Sequence, residues 1–121
     1  MTDSERTSKV IGHPVIKASN NIVARSLASK AVPAEDPNRI ALSVAGDQGE
    51  QKQTVMNLIS EIGFDAIDGG LLSESWRQQQ GEPAYCQDLN KETLKAALEQ
   101  ADISKRVENL ATADEMARPY L

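Results

Sequence analysis

The chain has 121 residues, 40% of them hydrophobic but only four aromatic, and its 13 basic and 18 acidic side chains leave a formal charge of −5. That describes one compact soluble domain with an aliphatic core, burying roughly two-thirds of its unfolded surface. A pI near 4.8 and scattered aromatics argue against nucleic acid as a partner, and no apolar run approaches the roughly 18 residues of a membrane span. The single cysteine, Cys86, and single histidine, His13, exclude an internal disulfide and the usual Cys/His metal clusters, so no metal site is assigned.

Residues 1–9 are polar, with no export signal and no buried-face pattern. They are expected to form a mobile N-terminus of a cytoplasmic protein. After Gly12 and Pro14, Val15-Ile16-Lys17-Ala18 has the pattern of a short strand. Ser19 or Asn20 can then cap a helix over about Asn21 to Ser29, and a Pro- and Asp-rich loop ends it.

Ile40-Ala41-Leu42-Ser43-Val44-Ala45 is a nearly continuous apolar run stopped by Gly46, the signature of a strand buried on both faces. Asp47 and Glu50 have capping-box spacing for a following helix. Val55, Leu58, Ile59 and Ile62 give that helix one apolar stripe, with Gly63 as its left-handed exit. Phe64 to Asp68 forms the next strand. The order predicts an α/β fold: a partial Rossmann-like parallel sheet of about three strands over residues 10–72, with flanking helices. Residues 73–89 read as a connecting segment, and 90–121 as a helical tail. There Leu94, Ala97, Leu98 and Ala101 form one stripe, and Ile103, Val107, Leu110 and Ala111 form another on the opposite side. The change of phase requires a break near Asp102 to Ser104, with Asp102 as a cap.

Few residues combine into a chemical motif. Gly46-Asp47-Gln48-Gly49 sits between strand and helix, where phosphate binds in dinucleotide folds, but the spacing is not Gly-x-Gly-x-x-Gly and Asp47 would repel a diphosphate. Helix capping is the simpler account. Asp65 and Asp68, three apart on one strand, point to opposite faces and make no acid/base dyad. Lys17 and Asn20 fall at the carboxyl end of the first strand, where open parallel sheets bind ligands, although capping by Asn20 and solvation of Lys17 also explain them. Trp76 and Arg77 suit either a partner anchor or a cover for the end of the core.

Four blocks in order carry a resemblance: Val15-Ile16-Lys17-Ala18-Ser19-Asn20-Asn21-Ile22, Ile40 to Asp47, Gly63-Phe64-Asp65-Ala66-Ile67-Asp68-Gly69-Gly70-Leu71, and Glu74-Ser75-Trp76-Arg77-Gln78. From about residue 10 to residue 89 the chain resembles the later part of NADP-dependent oxidoreductases related to the deazaflavin coenzyme (F-420) reductases. The resemblance implies that Lys17, Ala18, Ser19, Asn20 and Asn21 border the nicotinamide of NADP, and that Asp68, Gly69, Gly70 and Leu71 line the substrate side. Ser19 departs from the aromatic residue usual in its block. The glycine-rich NADP loop of such proteins precedes the strand resembling Val15 to Ala18, and no such half precedes it here.

An oxidoreductase supplying the nicotinamide and substrate side of a hydride-transfer site is therefore one expectation. A deazaflavin, a flavin or a small carbonyl compound remains open as the acceptor, and the isolated chain is expected to be inactive or feeble. An unpaired first strand would invite a homodimer or a separate dinucleotide-binding chain. The alternative is a non-enzymatic assembly or regulatory module, using that edge and an acidic tail: from Arg39 onward 14 acidic and 8 basic side chains give −6, against +1 before it.

Overall fold

The computed structural model describes residues 1–120 and has the expected α/β architecture: a three-stranded open sheet, helices on both faces and a helical C-terminal part. The elements are α1 (Asp3–Ile11), β1 (Lys17–Ala18), α2 (Ala24–Ser29), β2 (Ala41–Ala45), α3 (Gly49–Glu61), β3 (Asp65–Asp68), α4 (Lys91–Gln100) and α5 (Arg106–Ala117). Two 3-10 helices, Leu72–Gln78 and Ile103–Lys105, lie between them, and a third, Arg118–Tyr120, follows α5.

The strand order is β1-β2-β3, with the apolar β2 buried along its whole length at the centre. Its alternation feeds two cores. Leu42 and Val44 pack with Ile22, Ile40, Ile59 and Phe64, a cluster reinforced by Val55, Met56 and Ala66. Ala41, on the other face, packs with Ala84, Leu94, Ala97 and Leu98. Thus α3 covers one face and α4 the other.

β2 and β3 are parallel, in the register Ala41↔Asp65 to Val44↔Asp68, and α3 forms their crossover. β1 corrects the expected all-parallel arrangement, because it runs antiparallel to β2 with Lys17 opposite Ala45 and Ala18 opposite Val44. After β1 the chain continues beside β2 toward its amino end, where Asn21 bonds Ala41 O and Ser43 N, and this long-range pairing sets the antiparallel direction. The strand expected over Val15 to Ala18 shortens to two residues, and Ser19 follows it with φ of 65°.

Other expectations also change. Residues 1–9, taken as a mobile terminus, contribute to α1, which opens on a capping box: Thr2 Oγ1 accepts from Glu5 N at 3.1 Å and Glu5 Oε2 accepts from Thr2 N at 2.6 Å. Neither Ser19 nor Asn20 caps α2, which starts after Val23 without a side-chain cap. Asp47 does not cap α3 either; Gln48 holds that position and Asp47 is bonded elsewhere. On α3, Ile59 is buried and Val55 packs against the core, but Leu58 and Ile62 face outward and Met56 takes their place. The break at Asp102 is as expected, its carboxylate accepting from Ser104 N at 2.9 Å.

Candidate functional site at the strand ends

The carboxyl ends of the parallel pair are closed by glycine. β2 leaves through Gly46, where a side chain would press on Ile16 Cγ1 at 3.1 Å, and β3 leaves through Gly69 and Gly70. Gly69 N donates to Val44 O at 2.7 Å and Gly46 N donates to Gly70 O at 3.1 Å, so the two exits cross in contact. Gly70 has φ of 96°, a region that excludes most L side chains.

Asp68 organises this crossing. Its Oδ1 accepts from Gly70 N at 2.8 Å and from Lys52 Nζ at 2.9 Å, and Lys52 Nζ also donates to Gly70 O at 3.2 Å. Burial alone would raise the Asp68 carboxyl, but the Lys52 and Gly70 hydrogen bonds and the Lys52 charge hold it below its ordinary value. Asp65 turns instead to Arg39 at 3.3 Å, so the two aspartates serve separate ion pairs.

Beside this crossing, Asp47 Oδ1 accepts from Leu72 N at 2.9 Å, stapling the loop after β2 to the Leu72–Gln78 helix. A carboxylate thus stands at the entry of α3, and the Gly46 N–H is already spent. The fixed Asp47 charge does not fit a dinucleotide diphosphate, which it would repel.

The segment Lys17 to Asn21 divides its tasks. Asn21 is fully buried: its Nδ2 donates to Ala41 O at 3.2 Å and its Oδ1 accepts from Ser43 N at 3.1 Å. It therefore acts as a strand partner for β2 just where β1 has ended. Asn20 pairs with Gln78, donating from Nδ2 to the Gln78 carbonyl at 2.6 Å and accepting from Gln78 Nε2 at 2.8 Å. Gln78 Oε1 in turn reaches Gly69, where an added Cβ would lie 3.2 Å from it. Because β1 is antiparallel, its carboxyl end points toward the amino end of β2, which corrects the expectation that this end, with Lys17 and Asn20, is a carboxyl end of a parallel sheet; Lys17 stands opposite Ala45, the last residue of β2.

Gln78 is thus the residue that brings the two implied segments together, and sequence reasoning missed it inside a polar connecting stretch. The neighbouring glutamines act likewise. Gln79 Oε1 accepts from Asp3 N at 3.3 Å, and Gln80 Nε2 donates to Asp114 Oδ1 at 3.0 Å. Arg77 is also structural: Nε pairs with Glu74 at 2.9 Å and Nη1 donates to Leu98 O and Ala101 O, while its guanidinium lies 4.7 Å over the Trp76 ring.

Lys17 and Asp68 open onto different grooves. Lys17 and Asn20 line one of about 600 Å³ with Gln79, Gln80, Tyr85 and Cys86. Asp68, Gly69 and Gly70 line another of about 440 Å³ with Arg77, Lys95 and Glu99. Leu71 is 57% exposed and lines neither. A third groove, of about 670 Å³ between α5 and Gln80 to Cys86, touches none of the implied residues. Among the described residues, no cluster of His, Cys, Asp and Glu could hold a metal ion, and no helix is long and apolar enough to cross a membrane.

No family model matches the chain. It is 40% identical over 63 residues to the protein YjhV of Escherichia coli (strain K12), a match spanning 52% of this chain and 46% of that protein. The chain therefore spans about half the length of the curated relative it matches, whose name carries no activity.

Proposed function

We propose that the chain is a member of the NADP-dependent oxidoreductases related to the deazaflavin coenzyme reductases, and supplies the nicotinamide and substrate side of a hydride-transfer site. One observation carries the reading: Gln78 hydrogen-bonds Asn20, in the segment the resemblance puts beside the nicotinamide, and its Oε1 lies beside Gly69, in the segment it puts beside the substrate, where an added Cβ would come within 3.2 Å. Hydride chemistry belongs to the cofactor when it is bound. The work left to the protein is placement, and Asn21, Asn20 and Gln78 form a hydrogen-bonded frame suited to it.

The start of α3 is not fitted to the diphosphate, so the reading gives that part of NADP to a dinucleotide-binding unit outside these residues, in the cytoplasm, with a homodimer or a separate chain as the proposed assembly. Reduced nicotinamide riboside, which has the ring and no phosphate, isolates the half-site assigned to this chain. Titrated into ¹⁵N-labelled protein, it is expected to shift the Ala18 to Asn21 and Gly69 to Gly70 amides saturably. Unmoved amides at both segments would refute the reading.

A second reading, an assembly module, draws on α5, where Val107 and Met116 are 83% and 72% exposed beside Glu108, Asp114 and Glu115. It predicts silence in that titration, and association with a basic partner that disappears when Val107 and Met116 are changed to serine.

A further inference from the structure

Lys17 is an energetic anomaly. It is half-buried on the edge strand, opposite the fully buried Ala45, yet among the described residues it makes no ion pair and no side-chain hydrogen bond. The other partly buried cations among the described residues are all provided for: Arg39 pairs with Asp65, Lys52 with Asp68, Arg77 with Glu74, and Arg106 with Glu82. A cation withdrawn from water without a counter-charge is costly.

The charges facing Lys17 come from two elements and do not settle it. Asp3 on α1 attracts it from beyond ion-pair distance, and Arg106 on α5 repels it; burial is the largest influence, and the net result holds the Lys17 ammonium below its ordinary value. Asp3 itself lines the groove, so the site carries one carboxylate beside the Lys17 ammonium; its remaining lining is neutral. It contains the Gln79 side chain, whose oxygen takes the Asp3 N–H while its Nε2 donors have no partner among the described residues, and Tyr85. A groove of about 600 Å³ is in the range that takes a small molecule.

We propose that the groove between β1 and the Gln79 to Cys86 loop binds the oxyanion of a small-molecule ligand, a carboxylate or a phosphate, with Lys17 as its counter-charge and the Gln79 amide as a second donor. The inference goes beyond the hydride-transfer reading and does not depend on it.

The test is a titration of the full ¹⁵N-labelled chain at constant ionic strength, with inorganic phosphate in one arm and acetate in the other. Saturable shifts of the Lys17, Asn20 and Gln79 amides are expected from at least one anion, and the effective arm identifies the chemistry. Lys17→Met is expected to weaken that binding by about tenfold or more, and Lys17→Arg to retain it. Without anion, Lys17→Met is expected to melt no lower than the parent, since it removes an uncompensated charge. The bound anion should raise the melting temperature of the parent alone. No saturable shift in either arm, binding that survives Lys17→Met, or a Lys17→Met chain that melts well below the parent or fails to fold would each overturn the proposal. Nicotinamide riboside carries no anion, so a negative result with it and a negative result here are separable.

Discussion

Asn20 and Gln78, 58 residues apart in sequence, hold each other through two hydrogen bonds, one to the Gln78 backbone and one between the two side-chain amides. Gln78 is 1% exposed, so a lost partner is not replaced by water. Asn20→Ala and Gln78→Ala are each expected to cost about 1–3 kcal/mol, because each leaves buried polar groups unsatisfied. The double variant should cost less than the sum, with a coupling of about 0.5–3 kcal/mol in urea denaturation. Strict additivity would mean that the pair does not join the two segments. Such a result would also remove the frame on which the proposed placement role rests.

Much of the central architecture was legible because local pattern and burial agree there. The apolar run of β2 leaves no alternative to a strand covered on both faces, and Gly63, with φ of 112°, ends α3 where its lack of a side chain permits a left-handed turn. The phase change near Asp102 likewise predicts the break before α5. Failures arose where long-range partners overrode local signals. Asp47 has cap spacing, but Leu72 N competes for its carboxylate. Asn20 and Asn21 are good cap residues, but Gln78 and the β2 backbone take their side chains. The Thr2 to Glu5 capping-box spacing stands in the sequence, but no apolar stripe follows it to mark a helix. The run Gln78-Gln79-Gln80 gave no sign of its role: its members reach Asn20, Asp3 and Asp114, which are distant in sequence and in type.

Glu82 gives the fold an opposed pH dependence. Its side chain is completely buried, with Oε1 on Arg106 Nη1 at 3.2 Å and Oε2 without a partner. Burial pushes the Glu82 carboxyl above its ordinary value despite the attraction of Arg106, so in this pair desolvation outweighs the Coulomb gain. A raised value means that the folded state binds the proton more tightly. Glu82 therefore contributes stability below the ordinary glutamate range, and that contribution is lost as pH rises through the raised folded value. Asp68, held low by Lys52 and Gly70, does the reverse: its contribution is present above the ordinary aspartate range and is lost as pH falls through the lowered folded value. Glu82→Gln should therefore lose less stability than the parent in urea denaturation as pH rises above the ordinary glutamate range. Parallel pH profiles would show that Glu82 is not the source of the slope.

The docking of α5 rests on one close backbone approach, and this can be broken without touching either core. Gly81 has φ of 92°, and a Cβ placed there would meet Asn109 O at 2.8 Å and Asn109 C at 2.9 Å. Around it, Arg106 Nη1 donates to Gln80 O at 2.6 Å and Gln80 Nε2 donates to Asp114, so the glycine lies at the centre of a small polar clamp. No residue of α5 is buried, so the helix has no apolar anchor to compensate for losing this clamp. Gly81→Ala is expected to cost about 1–3 kcal/mol, combining an unfavourable left-handed conformation with a contact that must open. The loss should be local. In hydrogen exchange, the α5 amides should lose protection while those of β2, held by both cores, keep theirs. Unchanged α5 protection would show that α5 docks by some other contact, whereas an equal loss in β2 would mean that α5 unfolds only with the sheet and is part of its cooperative unit.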